Sequence, residues 1–232
     1  SHRMDSQGKI TGSWKSHTDD LDSELFKHDF DMNGWEYIHR FLNIKNTIPN
    51  ASAVLFKKQT YLQIEGACSH LNLIGDWSVW AKIVSRGDIH FSSRCLNDFR
   101  YHATSVIATA KQTSGPFRLR RQIILFRSEI SDFWQHHLSD SELTPQIYRK
   151  NKIFLYKEVV RNCSFAIRRR HFEEIIPTIR DACNILPVYL LPIFMFKMAI
   201  KLIYSIIFDA PIKKFSVHDK FHRTLILSGF CL

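Results

Sequence analysis

At Gly115-Pro116 the chain changes its hydrophobic rhythm, and one uniform fold class does not suit both sides of the change. Before it, short apolar runs alternate with helical patterns. Asn33 precedes Trp35, Ile38, Phe41 and Leu42, a helical face with a capping residue in front. Ala51–Phe56 is apolar and β-leaning, which predicts a buried strand. Thr60–Ile64 reads as one or two helical turns. Asp76 stands as an N-cap before Trp77, Trp80, Ile83 and Val84, with Gly87 just past the end. Ile89–Phe91 and Leu96–Phe99 predict short strands, and the polar stretch 1–32 predicts loop. Helix and strand in alternation predict an α/β fold for 1–110. After the change the pattern is helical: one face over Phe117–Leu138, a helix opened by Thr144-Pro145 and running to about Arg161, and a third over Phe172–Asn184 interrupted near Pro177.

Composition sharpens this division. Hydrophobic residues make up 45% of the 232, enough for a core, and only eight glycines argue against a sandwich built on tight turns. The net charge is +10, yet residues 1–110 carry 12 basic and 12 acidic side chains while 111–232 carry 20 and 10. The excess therefore belongs to the second part and favours an anionic surface as its partner. Cys68, Cys95, Cys163, Cys183 and Cys231 form no C-x-x-C pair, which fits reduced thiols in a cytoplasmic setting.

Three short signals carry the chemistry: Asn50-Ala51-Ser52-Ala53, Gly75-Asp76-Trp77 and Arg100-Tyr101-His102. Asp76 is a helix cap by its spacing, and a carboxylate fixed there also suits a general base. His102 reads as a surface imidazole or as a ligand for a divalent metal. Arg100 is either an ion-pair partner or a fork for phosphate oxygens. Asn50 and Ser52 either shape a turn or line a pocket, and Trp77 completes the candidate substrate-binding set. Asn50-Ala51-Ser52 also matches the N-glycosylation pattern, which is common by chance.

In this order and spacing, the three signals resemble the C-terminal half of the catalytic domain of family 2 glycosyltransferases, which have the GT-A fold. The opening Ser1-His2-Arg3-Met4-Asp5-Ser6-Gln7-Gly8 looks like the segment that follows that family's metal-binding D-x-D. The resemblance covers about residues 1–110, and Asp76 and His102 are 26 positions apart, similar to the family's pattern of a metal-binding histidine about two dozen residues after the base. It implies an inverting transfer from a nucleotide-sugar donor to a glycan or lipid-linked acceptor, as in cell-envelope or surface polysaccharide synthesis. Asp76 would be the base, Asn50, Ser52, Trp77 and Arg100 would bind substrate, and His102 would ligate Mg²⁺ or Mn²⁺. The family's nucleotide-binding half would lie before Ser1, so this chain is expected to be a fragment that is inactive alone. Asp29-Phe30-Asp31 spells D-x-D but follows no apolar strand.

The part after 110 reads as a basic helical tail. Ile185–Phe208 is long and apolar, but Lys197, Lys201, Pro187 and Pro192 argue against a spanning helix. An interfacial helix is expected there, flanked by Arg168-Arg169-Arg170 and Lys213-Lys214, at the inner face of the cell membrane. The alternative function is a non-catalytic, membrane-associated binding module derived from such a domain. No nucleic-acid motif is present, and nucleic acid is not expected as a partner.

Overall fold

The computed structural model describes residues 1–102, 115–137 and 143–183, together with Pro192, Phe196 and Ile200. It shows a mixed α/β architecture: two small sheets followed by three long helical elements. Strands β1 (His2–Met4) and β2 (Ile10–Ser13) pair antiparallel, and β1 pairs parallel with β5 (Asp98–Arg100). Strands β3 (Phe30–Asn33) and β4 (Asp88–Phe91) form a second, antiparallel sheet.

Stretch 1–32, expected as loop, therefore holds two full strands and the start of a third. Its residues are polar because the strands are short and half-exposed. Besides the neighbouring β2, β1 pairs with β5, some ninety positions later, with His2 opposite Asp98 and Met4 opposite Arg100. The reverse correction applies to Ala51–Phe56. It is no buried strand but one 3-10 turn (Ala51–Ala53) and an extended segment in which Leu55 is fully exposed. Leu96–Phe99 becomes a strand two residues later than expected, at Asp98–Arg100.

Helix α1 (Gly34–Tyr37) begins where Asn33 accepts hydrogen bonds from the backbone N–H of Trp35 and Glu36. It widens into a π-helical turn over Ile38–Leu42, closed by Asn43 N donating to Ile38 O at 3.0 Å. Helix α2 (Lys58–Gln63) is short. Helix α3 (Gly75–Val84) buries Trp77, Val79, Trp80, Ala81 and Val84. Gly34 is required where α1 meets the end of α3, since a Cβ there would run into the carbonyl oxygens of Val84 and Gly87.

Helix α4 (Gly115–His137) and helix α5 (Thr144–Arg169) pack along one another. Their apolar stripes complete the core begun by the first part. Phe126 lies 4.6 Å from Trp77 and Trp134 6.3 Å from Trp35, ring centre to ring centre. Each such side chain, fully buried, contributes about 1.5–3 kcal/mol. Helix α5 runs eight residues beyond the expected Arg161, because Cys163, Ala166 and Ile167 continue its buried stripe. Cys163 and Ile167 join Ile124, Leu155 and Val159 in a second cluster, against which Ile175 and Ile179 pack. Helix α6 (Ile175–Cys183) runs through Pro177, whose missing N–H would have no partner in a first turn. The interruption lies earlier, at a 3-10 turn over Phe172–Glu174. The expected interfacial helix at 185–208 lies outside the described residues, except for Pro192, Phe196 and Ile200. Among the described residues no helix is long and apolar enough to cross a membrane.

Candidate functional site

Asp76 is the second residue of α3, not its cap, which is Ile74. Its carboxylate accepts a hydrogen bond from Trp77 N at 2.7 Å and another from the Asn46 side chain. Asn46 Oδ1 is already engaged by Ile48 N at 3.1 Å, so its amide N–H₂ is what faces Asp76. Partial burial pushes the Asp76 carboxyl above its ordinary value, and its donors only partly offset this. Among the described residues no cation pairs with this half-buried carboxylate, which is held at the helix N-terminus by Trp77 N–H, Asn46 and its own backbone N–H and has a raised affinity for protons.

The turn that presents Asn46 is anchored from the helical part. Arg127 of α4 donates to Asn43 O at 3.0 Å, to Ile44 O at 3.2 Å and to Asn151 Oδ1 at 2.9 Å. Its guanidinium also lies over the Trp77 ring, 5.4 Å from its centre. Deep burial lowers the Arg127 pKa to about 10, which leaves the side chain charged at neutral pH. It serves as the cation at the carbonyl end of α1. On the other side, Asn46 O lies 2.8 Å from His17 Nε2. Burial holds His17 below its ordinary pKa.

From His17 an aromatic path leads to the sheet. Trp14 meets His17 edge-on at 5.3 Å and stacks with Tyr101 at 6.3 Å. Arg3 lies over the Trp14 ring at 5.6 Å. Beyond Tyr101 opens a cleft of about 620 Å³ lined by Arg3, Met4, Asp5, Ser6, Thr11, Tyr101 and His102. It is open to solvent and sits where the parallel strands β1 and β5 both run out at their carboxyl ends. The Arg3 Nε and Trp14 Nε1 groups behind it are buried without a hydrogen-bond partner.

The expected site residues separate into three groups. His102 lines the cleft, and Asp76 stands behind it at the far end of the Asn46–His17–Trp14–Tyr101 path. Arg100 is exposed beside the cleft and donates to Ser6 O at 3.1 Å, bracing the β1–β2 turn. Trp77 is in the core: its ring is buried against Phe126 and its Nε1 donates to Leu42 O at 2.9 Å, so it presents no surface to a substrate. Asn50 is also buried. Its amide donates to Ser1 Oγ at 3.1 Å and its Oδ1 accepts from Ser52 Oγ at 2.9 Å and from Asn97 Nδ2 at 3.3 Å. This polar knot ties the start of β1 to the segment before β5. Asn50 and Ser52 thus hold the parallel pair together behind the cleft.

Asp29 and Asp31 have structural partners. Asp29 accepts from Ser93 N at 2.7 Å, and Asp31 pairs with His90 at 2.8 Å across β3 and β4. The residues that spacing alone missed are Asn46, His17, Trp14 and Arg3. Arg3 lies in the opening segment and Asn46 four positions before Asn50, but nothing in the sequence marks Trp14 as their neighbour. Among the described residues, no group of three or more His, Cys, Asp or Glu side chains is disposed to hold a metal. No known protein family, characterised protein or solved structure matches this chain.

Proposed function

We propose that this chain is the acceptor-side half of an inverting, family 2-like glycosyltransferase of the GT-A type, with Asp76 as general base. The observation that carries the reading is the setting of Asp76. It is a carboxylate with no ion-pair partner among the described residues, raised in pKa by burial and held by Trp77 N–H and Asn46; it lies at the far end of the Asn46–His17–Trp14–Tyr101 path from the cleft at the carboxyl ends of β1 and β5. A purely structural cap at this position would gain from solvent exposure, whereas a base gains from partial desolvation.

In the proposed reaction the acceptor hydroxyl gives its proton to the Asp76 carboxylate as its oxygen attacks the anomeric carbon of the nucleotide-linked sugar. The glycosidic bond forms as the bond to the diphosphate breaks, and configuration inverts. Asn46 holds the carboxylate oriented during the transfer. Tyr101 offers an aromatic face, half-exposed at the cleft wall, against which a sugar ring can stack. His102 and Asp5 both line the cleft and would be the groups to hold a Mg²⁺ or Mn²⁺ ion there, Asp5 through Oδ2, since its Oδ1 accepts from Gln7 N and Lys9 N. Such an ion, when bound, neutralises charge on the leaving diphosphate. The donor itself is expected to rest mostly on a nucleotide-binding half outside this chain.

The test is nucleoside diphosphate release from a panel of nucleotide sugars, using protein expressed from the full reading frame that contains this sequence. The reading expects release that depends on an added acceptor and falls with Asp76→Asn. Turnover that is unchanged in Asp76→Asn would remove Asp76 from the chemistry and with it this assignment.

A further inference from the structure

The first turns of α4 lie against the last turns of α5, and this end of the helical pair gathers arginines. Arg120 and Arg169 flank Phe165 from two sides, each with its guanidinium 5.4 Å from the ring centre. Phe117 packs on Phe165 and on His171 at 5.2 Å each, which closes the end of the pair. Arg120 also feels Arg161 and Arg168, whose charges add to burial in lowering its pKa; Glu158 alone opposes them. Glu158 is itself taken by Arg161 at 2.8 Å, and Asp181 by Arg121 at 2.8 Å. Glu173 pairs with His171 at 2.8 Å and Glu174 is partly buried, so Arg118, Arg120, Arg121, Arg161, Arg168, Arg169 and Arg170 outnumber Glu158, Glu173, Glu174 and Asp181 and this end keeps a positive excess. Gathering like charges in this way is unfavourable unless an anion compensates them.

The chain leaves α5 through Arg170, which adopts a left-handed conformation at φ 60°, a place where glycine is favoured. Arg170 is the third consecutive arginine at this turn, after Arg168 and Arg169, all three exposed. Immediately beyond, two apolar side chains stand out into solvent: Phe172 is 50% exposed and Ile176 77%. Further along, Phe196 and Ile200, one helical turn apart, are exposed as well.

We propose that this arginine-rich end of the α4–α5 pair, with Phe172 and Ile176 at its tip, docks on an anionic lipid bilayer. Arginines meet headgroup phosphates, and the two apolar side chains enter the boundary beneath them. Guanidinium groups suit phosphate oxygens through their fork of donors. Nucleic acid would also satisfy the charge, but Ile176, the more exposed of the two apolar side chains, gains nothing from a phosphate backbone, whereas a bilayer buries it together with Phe172. The inference does not depend on Asp76 being a base.

Co-sedimentation of the full chain with vesicles tests it. Phosphatidylcholine alone is compared with phosphatidylcholine carrying about 30 mol% phosphatidylglycerol, at about 0.15 M salt. Binding is expected only to the anionic vesicles and is expected to weaken as salt rises. Replacing Arg168, Arg169 and Arg170 by Glu should lower partitioning by on the order of 100-fold. A second variant, Phe172→Ser with Ile176→Ser, alters exposed positions only and should lower it about tenfold or more while the melting transition stays in place. Equal binding to neutral and anionic vesicles would overturn the proposal. So would unchanged binding in the Arg-to-Glu variant, or tighter binding to a single-stranded RNA than to the anionic vesicles. A concentration-dependent dimer that Ile176→Ser dissolves, without vesicle binding, would reassign the tip to self-association.

Discussion

The surroundings of Asp76 and of His102 are built by different means. Asp76 is fixed by elements far apart in the chain: its own helix, the Asn46 turn, and through that turn Arg127 and Asn151 of the two long helices. His102 lies at the end of a three-residue strand on an exposed rim, in a cleft shaped by the β1–β2 turn. The first setting draws packing and hydrogen bonds from several elements into a half-buried place, and the second lies exposed at the edge of a small sheet. A base must be oriented before the reaction, whereas a group that meets a diphosphate can be ordered by the ligand itself. The difference also gives the helices a role at the site. They supply the wall and the anchor against which the Asp76 region is held.

The largest effect that would break this contrast is on stability. Arg127→Ala removes the donor to Asn43 O and Asn151 Oδ1, both buried, and to the part-buried Ile44 O, and should cost about 2–4 kcal/mol in urea unfolding. A loss below about 0.5 kcal/mol would mean the anchor is not one. Asn46→Ala comes next, at about 1 kcal/mol from its lost hydrogen bonds. It should also raise the Asp76 pKa further, because a donor to the charged form is gone, so the acid limb of any pH–rate profile should move to higher pH. At the rim, His102→Ala and Arg100→Ala should each change stability by no more than about 0.5 kcal/mol. Equal losses at both ends would erase the contrast.

Asp76 itself makes a prediction whose sign can be worked out. Its folded pKa lies above the unfolded value of 3.8, so the native state holds the proton more tightly. The destabilisation is absent below pH 3.8, grows as pH rises toward the folded pKa, and is complete above it. Asp76→Asn should therefore be at least as stable as wild type at neutral pH, and the two should converge in acid. Parallel pH–stability curves would show that the carboxylate is not desolvated.

Local signals made much of the fold legible. Asn33 announced α1 because a side-chain cap acts on its next three residues, and the stripe from Leu119 to Trp134 announced α4 because a helix repeats its face. What the sequence hid was non-local. His2–Met4 pairs with Asp98–Arg100, and no pattern within seven polar-flanked residues predicts that pairing. Ala51–Phe56 carried β-leaning residues with no strand to receive them, so they form a turn and an exposed link. The site shows the same division. Asp76 and His102 were marked by their motifs, while Asn46, His17 and Trp14 became visible only when the chain brought them together. Trp77 shows the opposite error, since its place beside Asp76 in the motif suggested a substrate contact while the helix turned its ring into the core.

The measurement that bears most directly on the central claim is turnover by Asp76→Asn beside wild type, at matched fold stability, in protein carrying a competent donor site. The account predicts a fall of about 10²- to 10⁴-fold in acceptor-dependent nucleoside diphosphate release, with the melting temperature unchanged or higher. Full activity in a well-folded Asp76→Asn protein would contradict it and leave Asp76 as a structural residue of α3.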